Sequence, residues 1–142
     1  MKIPGELSVS FRYTPGVGNT AFFEALRERG VLLGSRCDHC GVTYLPARAF
    51  CERCLRELEA SVECGPEGEL VSWTVARVNV DDEPLDPPVT YGLVRPDRAD
   101  TVVLHRLLGF DGDEPEIGSR VRPRFAAIRQ GSILDIEGFE PV

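Results

Sequence analysis

Two C-x-x-C pairs decide the fold of this chain: Cys37-Asp38-His39-Cys40 and, ten residues later, Cys51-Glu52-Arg53-Cys54. Each pair offers two thiolates from one tight turn, and two facing pairs complete the tetrahedral shell that zinc prefers. Gly41, directly after Cys40, favours such a turn because glycine adopts positive φ without steric cost. The spacing therefore predicts a four-cysteine metal site, in which His39 is exposed and is not a ligand.

Spacing alone leaves the chemical state of the four sulfurs open. Zinc would make a closed structural site, whereas iron in the same cage would make an electron carrier like rubredoxin. Without a metal, the cysteines would form two disulfides or stay free thiols. Disulfides are disfavoured because the N-terminus lacks an apolar signal core, which indicates an intracellular chain.

Length and composition indicate a folded domain and exclude some classes of function. The chain has 142 residues, of which 42% are hydrophobic, enough for a buried core. A net charge of -7 argues against a general nucleic-acid-binding protein, which needs a basic surface. No apolar run approaches the ~20 residues that span a bilayer. We therefore expect a soluble, cytoplasmic protein that makes no contact with a membrane.

The residues before the first C-x-x-C pair predict an arm and a helix. Prolines, glycines and the lack of a helical period indicate an extended arm over residues 1–18. An amphipathic pattern over 19–30 predicts a short helix, capped by Thr20 or Asn19 and ended by Gly30.

Four aromatic residues in this N-terminal region are candidates for a partner interface. Phe22 and Phe23 are adjacent near the start of the helix, so either both enter the core or one of them contacts a partner. Phe11 and Tyr13 alternate with polar residues in the arm. Such arms often become ordered only on a partner.

The metal ligands lie in a segment with the pattern of a zinc ribbon. Residues 31–36 are predicted to enter the first turn as a strand, and 42–45 to leave it as a second strand that Pro46 ends. The apolar content of this segment is small. The metal is therefore expected to supply most of its folding free energy.

From Gly65 onward the pattern changes to strands separated by short turns. The first strand is long enough to bend between two sheets, which fits a small OB-type barrel. Val71, Trp73 and Val75 are expected on one face of it, with no glycine within 70–80 to make the bend. The five strands are predicted over 69–80, 89–94, 101–110, 119–128 and 132–139.

The predicted fold class is mostly β, in three parts. Residues 1–30 form the N-terminal arm and helix, 31–64 a rubredoxin-like zinc ribbon, and 65–142 a five-stranded OB-type barrel.

The order of these parts resembles a family of OB-fold proteins with an N-terminal zinc ribbon, long catalogued as a domain of unknown function. The resemblance covers about residues 20–140. It rests on the four cysteines and three further motifs: Phe22-Phe23-Glu24-Ala25-Leu26, Leu45-Pro46-Ala47-Arg48 and Ser72-Trp73-Thr74.

The resemblance implies a function in acyl-CoA metabolism. Members of the family are found with thiolases, acyl-CoA hydratases and related enzymes as non-catalytic subunits or scaffolds, and some hold coenzyme A between active sites. It favours structural zinc over iron. The arm over 10–16 is similar to arms of thiolase-partner members, one branch being the small subunit of benzoylsuccinyl-CoA thiolase. The implied partner is a thiolase-type enzyme in a hetero-oligomer, with coenzyme A or acyl-CoA as a shared ligand.

No catalytic residue can be assigned from the sequence. Cys64, the fifth cysteine, has no activating base beside it and is interpreted as structural. His105 shares the predicted strand face of Val103 and Leu107, which favours a partly buried side chain. No nucleophile elbow, phosphate-binding loop or zinc-protease motif is present. The chain alone is therefore not expected to be an enzyme.

Three arginines of the predicted fourth strand point to one face. Arg120, Arg122 and Arg124 alternate with other residues, and Arg106 is a candidate to join them from a neighbouring strand. They form either an ordinary solvated surface or a cationic patch for the phosphates of coenzyme A.

Two further functional classes stay open beside the scaffold subunit. OB barrels often bind single-stranded nucleic acid, for which Trp73 and Tyr91 are the available stacking residues. The second class is a rubredoxin-like electron carrier, which requires iron in the four-cysteine site.

Overall fold

The computed structural model describes residues 10–110 and 114–142, in which one α-helix precedes two sheets. The first sheet has three strands in the order β2-β1-β3, and the second has five in the order β6-β5-β4-β7-β8. The elements are α1 (Gly16–Arg29), β1 (Leu32–Cys37), β2 (Val42–Tyr44), β3 (Ala60–Cys64), β4 (Gly68–Val78), β5 (Pro84–Pro96), β6 (Val103–Arg106), β7 (Arg120–Phe125) and β8 (Ile136–Pro141).

The predicted helix is present but begins earlier than the sequence indicated. Pro15 precedes it, and no side chain caps its first turn, so the expected cap by Asn19 or Thr20 is wrong. Proline needs no amide partner and has a φ suited to a helix start. Gly30 ends the helix as predicted, with φ 65° and its N–H bonded to the carbonyl of Leu26.

Residues 10–15 before the helix contain no regular secondary structure, as an arm would, while residues 1–9 of the predicted arm lie outside the described part.

The ribbon consists of β1 flanked by β2 and β3. Strand β1 pairs antiparallel with β2 from Ser35 to Cys37 and with β3 from Leu32 to Ser35. Strand β3 follows the second turn as the third strand of the ribbon.

The five-stranded sheet closes into the predicted OB-type barrel. Strand β4 pairs with β5 along most of its length and with β7 at its start, so it belongs to both sides of the barrel. The barrel closes where Leu107, just after β6, forms a parallel bridge with Phe139 of β8. The Leu108 N–H donates to the Phe139 carbonyl at 2.8 Å there.

The bend in β4 is made by bulges and not by a glycine. The pairing of β4 with β5 shifts register between Leu70 and Ser72 and again between Ala76 and Val78. The first shift lets Leu70 and Trp73 both pack in the core, although strict alternation would place them on opposite faces. Trp73 and Val75 keep the predicted alternation, since they pair with Gly92 and Thr90, whereas Val71 lies at the register shift and does not follow it.

Strand β5 is longer than predicted at its start. It begins at Pro84, within residues 81–88, which separate the first two predicted strands. β4 and β5 thus form a long hairpin whose turn lies at 79–83. Prolines are tolerated here because this stretch lies at the end of a long hairpin, where ladder hydrogen bonds can be lost.

One hydrophobic core joins the helix, the ribbon and the barrel. Phe22 and Leu26 of the helix, at 3% and 0% exposure, pack in it with residues of both sheets. The ribbon is therefore not a separate unit attached by a linker. The buried members are Phe22, Leu26, Leu32, Leu45, Cys64, Leu70, Val94, Ala99, Leu107, Val121, Ile136 and Phe139.

Reciprocal hydrogen bonds also tie the ribbon to the barrel. The Thr43 N–H donates to the Asp100 carboxylate at 2.8 Å, and the Asp100 N–H donates to the Thr43 carbonyl at 2.9 Å. The Thr101 hydroxyl lies 2.8 Å from both the N–H and the carbonyl oxygen of Leu45. These bonds fix strand β2 and the residue after it against the turn between β5 and β6.

Asp135 organises the loop before the last strand. It is 3% exposed and accepts hydrogen bonds from the N–H groups of Gln130, Gly131 and Ser132. Burial alone would raise the pKa of Asp135, but the backbone donors outweigh it and lower this pKa.

Within the described residues, no helix is both long enough and apolar enough to cross a membrane.

Candidate metal centre

The four cysteines of the two C-x-x-C pairs converge at one end of the ribbon. All four Sγ atoms lie within 4.8 Å of one another, and those of Cys37 and Cys54 are 3.6 Å apart. Tetrahedral zinc with Zn–S bonds of about 2.3 Å requires sulfurs about 3.8 Å apart. The arrangement therefore fits a four-thiolate metal ion, as the spacing predicted, and the cysteines are free rather than disulfide-bonded.

The two turns that carry the ligands have the same backbone geometry. The Gly41 N–H donates to the Cys37 carbonyl at 2.7 Å, and the Leu55 N–H donates to the Cys51 carbonyl at 3.0 Å. Gly41 has φ 68° and Leu55 has φ 60°, so the residue after each pair is left-handed. The first turn uses the glycine that this conformation favours, whereas the second holds a leucine there against its preference.

Burial differs among the ligands in a regular way. The first cysteine of each pair, Cys37 or Cys51, is at most 2% exposed, and the second is half-buried. His39 lies exposed in the first turn, as predicted for a residue that is not a ligand. Four thiols complete a tetrahedral shell and leave no open position for a substrate, so the metal would be structural.

Tyr44 contacts one of the four cysteines, a role that the sequence did not predict. Its hydroxyl lies 3.4 Å from Cys51 Sγ, and its side chain is 2% exposed. This hydrogen bond lowers the pKa of the Cys51 thiol to about 6 and raises the pKa of Tyr44 to about 12. The sequence contained one signal for this role. Val42 and Tyr44 alternate on the strand that leaves the first turn, which places both side chains on the same face.

Further contacts hold Tyr44 and its sulfur partner in place. The Arg48 guanidinium lies 5.1 Å from the centre of the Tyr44 ring. The Arg53 N–H lies 3.4 Å from Cys51 Sγ. Metal-ligating groups usually have such outer partners, which orient the ligand and tune its basicity.

Family models match both parts of the chain. The rubredoxin-like zinc ribbon domain of ChsH2 matches residues 25–59, and its C-terminal OB-fold domain matches 61–126. The chain belongs to this family of zinc-ribbon and OB-fold proteins. The ribbon model accords with the four-cysteine geometry, and the OB model accords with the closed five-stranded barrel.

Individual relatives are similar to most of this chain. A DUF35 domain-containing scaffold protein of Methanocaldococcus jannaschii is 24% identical over 106 residues, which are 74% of each chain. A crystal structure of a DUF35-family protein of unknown function from Sulfolobus solfataricus has a TM-score of 0.61, 27% identity and 76% coverage of each chain. A chain of the Ltp2-ChsH2(DUF35) aldolase has a TM-score of 0.65 and 25% identity, and the likeness covers 92% of this chain and 98% of that one.

The candidate phosphate-binding arginines of this family member are already paired with carboxylates. Arg120 lies 3.1 Å from Glu67 and 2.5 Å from Asp97. Hydrogen bonds to these carboxylates raise the pKa of Arg120, and the bond from Arg120 lowers that of Asp97. Arg122 and Arg124 pair with residues of β8, Arg122 with Glu140 and Arg124 with both Glu137 and Glu140.

Arg106 lies apart from the other three candidate arginines in the strand order. It is on β6, which pairs with β5 and meets β8 where the barrel closes, so β8 separates it from the β7 strand that carries the other three. The grouping of Arg106 with these arginines stays a prediction. A coenzyme A phosphate would have to displace carboxylates at the remaining three, so these arginines fit the ordinary outer surface better.

Cys64 and His105 have the structural surroundings that the sequence predicted. Cys64 is 4% exposed in the shared core, and burial raises the pKa of its thiol, which disfavours the nucleophilic thiolate. The His105 ring packs edge-on against the Phe139 ring, with 6.2 Å between the ring centres, and burial lowers the pKa of His105. Neither side chain lies near the four-cysteine site.

The partner-contact candidates separate into buried and exposed residues. Phe22 is 3% exposed in the core, so its assignment as a partner contact is wrong. Phe23 packs against the same core from a half-buried position. Phe11 and Tyr13 are 66% and 84% exposed, and their rings stack with 5.9 Å between the ring centres.

The stacking residues expected for nucleic-acid binding are not on one face. Trp73 pairs with Gly92, and a side chain at Gly92 would collide with Leu107 and Leu70 of the core. Trp73 therefore faces the barrel interior, where it packs against the core. Tyr91, one residue before Gly92, faces the other way. This arrangement removes one of the two predicted stacking platforms.

Proposed function

We propose that this chain is a non-catalytic, zinc-binding scaffold subunit that docks on a thiolase-type acyl-CoA enzyme and helps to form or cover its acyl-CoA site. The observation that carries the proposal is the closed four-thiol site at the end of a ribbon that shares its core with the barrel. Such a metal holds the ribbon in shape and offers no position for chemistry. The nucleophile and the bases would come from the partner.

Two relatives support a scaffold role. The archaeal relative is described as a scaffold protein, and the ChsH2 chain, whose likeness covers 92% of this one, belongs to an aldolase together with Ltp2. A chain that retains both domains of such proteins is well suited to the same kind of assembly.

The exposed arm supplies a contact for the partner. Phe11 and Tyr13 stand in an extended segment with most of their surface in solvent. Aromatic residues are enriched at protein interfaces, where they bury large area at low conformational cost. We do not assign coenzyme A phosphates to Arg120, Arg122 or Arg124, because each already pairs with a carboxylate.

Purification of the tagged chain from its native host tests the proposal. An acyl-CoA enzyme of the thiolase or aldolase type should co-elute with it in a fixed ratio. Changing Phe11 and Tyr13 to alanine should weaken that association, whereas Ile128→Ala, at an equally exposed position far from the arm in sequence, should not. Elution of the chain alone, without any acyl-CoA enzyme, would contradict the proposal.

The metal content of the same preparation tests whether the four-cysteine site is structural and takes no part in electron transfer. Zinc is colourless, whereas iron in a four-sulfur cage absorbs visible light and transfers electrons. We expect a colourless protein that contains zinc. An iron-containing, coloured protein would instead support a function as an electron carrier.

A further inference from the structure

The outer face of the β4–β5–β6 sheet carries apolar side chains among polar ones. Thr74, Tyr91 and Arg106 pair across the three strands, and so do Ser72, Leu93 and Leu104. These rows face away from the interior, because the row between them contains Gly92, which faces the core. Leu104, on β6 at the edge of this sheet, is 63% exposed. The face has no covering element among the described residues.

The apolar surface continues along the long β4–β5 hairpin towards its turn. Val78 is 49% exposed and Val80 98% exposed, and both line a groove with Leu85, Val89 and Tyr91. Because Val80 contacts almost nothing in this chain, its side chain does not stabilise the hairpin. We call the outer surface formed by residues 76–80, 85, 89 and 91 the hairpin face.

The turn at the end of the hairpin face is strongly acidic. Asp81, Asp82, Glu83 and Asp86 are all exposed. The turn is held by Asn79, whose side-chain oxygen accepts the N–H groups of residues 81 and 83 at 2.9 Å. The carboxylates therefore project from an ordered turn. Two cations belong to the same region, Arg77 on β4 and Arg106 at the end away from the turn.

We propose that the hairpin face is a docking surface for a segment of the partner protein that is apolar along its length and basic at one end. Apolar side chains of that segment would cover Val78, Val80 and Leu85, and its basic end would lie at the acidic turn. The inference rests on the proposed scaffold function and specifies which surface receives the partner.

Charge complementarity is the reason for a basic protein segment as the occupant. OB barrels use the face of their second and third strands, with the loop between the first and second, to bind ligands. Here those elements are β5, β6 and the 79–83 turn. Nucleic acid would meet repulsion from the four carboxylates of the turn region, whereas lysine or arginine side chains would be attracted to them.

Binding of the co-purifying enzyme to charge variants of the full chain tests this surface. The hairpin variant is Asp81→Lys with Asp82→Asn, because asparagine tolerates the left-handed φ of 59° at position 82. The control is Glu114→Lys with Glu116→Gln, which changes the net charge equally at another exposed loop. We expect the hairpin variant to bind about tenfold more weakly at low salt, a difference that high salt reduces.

A neutral variant tests the apolar part without changing charge. Val80→Ser cannot disturb the core, because Val80 is 98% exposed, and it should weaken binding several-fold. If the hairpin variant, Val80→Ser and the control all bind like the unchanged chain while the Phe11 and Tyr13 variant does not, this inference fails and the scaffold function stands. If no enzyme co-purifies at all, both fail.

A photo-crosslinking residue at position 80 identifies the occupant directly. Irradiation in the native host should link it to a basic, apolar segment of the same enzyme that co-purifies with the tagged chain. Linkage to a second copy of this chain, linkage to nucleic acid, or no linkage in a preparation that contains the enzyme would overturn the proposal.

Discussion

The two ends of the ribbon are stabilised by different interactions, although they share the strands β1 and β2. At the metal end, the buried cluster consists of Cys37, Val42, Tyr44 and Cys51, and two of these four are ligands. At the barrel end, Leu32, Leu45 and Cys64 join a core of twelve buried residues. The comparison teaches that apolar burial fixes the position of the ribbon, whereas a metal held by the four cysteines would fix the shape of its tip.

This division suits a subunit that presents a surface to a partner. The barrel end cannot tilt without breaking the shared core and the hydrogen bonds to Asp100 and Thr101. The tip has too little apolar surface to hold its own conformation, so it depends on the metal. A change at one end should therefore leave the other end largely intact.

Loss of a ligand should have the largest effect, confined to the tip. Cys40→Ser removes one of four thiolates, so metal affinity should fall by more than the roughly 10–100-fold that outer partners typically contribute. Metal content by mass spectrometry should fall, and assembly with the partner should fall with it, because we expect part of the ribbon to contact the partner. The matched control is Cys64→Ala, which removes a buried cysteine that is not a ligand and should leave the metal in place.

Activity of the complex is expected to follow its assembly. Normal assembly of Cys40→Ser with the partner, together with lost turnover, would contradict the structural role of the metal.

Truncation of the helix side chain in the shared core should have the next largest effect, on all three parts at once. Leu26 is fully buried, and Leu26→Ala should lower the free energy of unfolding by about 2–5 kcal/mol. Val17→Ala on the same helix is the control, since Val17 is 82% exposed. Urea unfolding measured by Trp73 fluorescence should report this loss in the barrel. A transition as stable as that of the control would mean that the helix is not part of the core.

Removal of the junction hydroxyl should have a smaller effect. Thr101→Val keeps the shape of the side chain but leaves the N–H and the carbonyl of Leu45 without their partner. The expected loss is about 1–3 kcal/mol, because half-buried backbone groups lose their hydrogen bonds. Thermal unfolding of Thr101→Val beside Thr74→Val, at an exposed position, measures it. Equal midpoints would show that the junction bonds do not hold the ribbon.

Replacing Leu55 by glycine should have the smallest effect, and it should be stabilising because it removes the strain of a left-handed backbone. Leu55 has φ 60°, where a side chain costs roughly 1–2 kcal/mol, partly offset by the greater freedom of glycine when unfolded. Leu55→Gly should therefore stabilise the ribbon by about 0.5–1 kcal/mol and slow metal loss to a chelator. Leu55→Ala retains the strain and should give no such gain. Faster metal loss from the glycine variant would contradict this explanation.

Local signals made most of the architecture predictable. The C-x-x-C spacing determines four ligands from two turns, and period-two runs predicted the five barrel strands. Gly30 predicted the end of the helix correctly because its αL conformation is set by the residue itself.

The incorrect or missing predictions concern features that are determined by tertiary contacts. The bulge at Leu70 depends on pairing with β5, and no sequence pattern marks it. Arg120 has carboxylate partners at Glu67 and Asp97, distant in sequence, so its exposure could be predicted but its pairing could not. The sequence could not show which of Phe22 and Phe23 is buried. Helical periodicity predicts which side of the helix faces the core, but not how closely the neighbouring sheet packs against each residue.

Hydrogen exchange before and after metal removal tests the central comparison most directly. A chelator is added to the full chain, and amide exchange is followed by mass spectrometry for the two turns, β1 and the barrel strands. We predict fast exchange at Gly41 and Leu55, whose N–H groups close the two turns, while β4, β5 and β8 stay protected. Loss of protection throughout the barrel, or turns that stay protected without metal, would contradict the account.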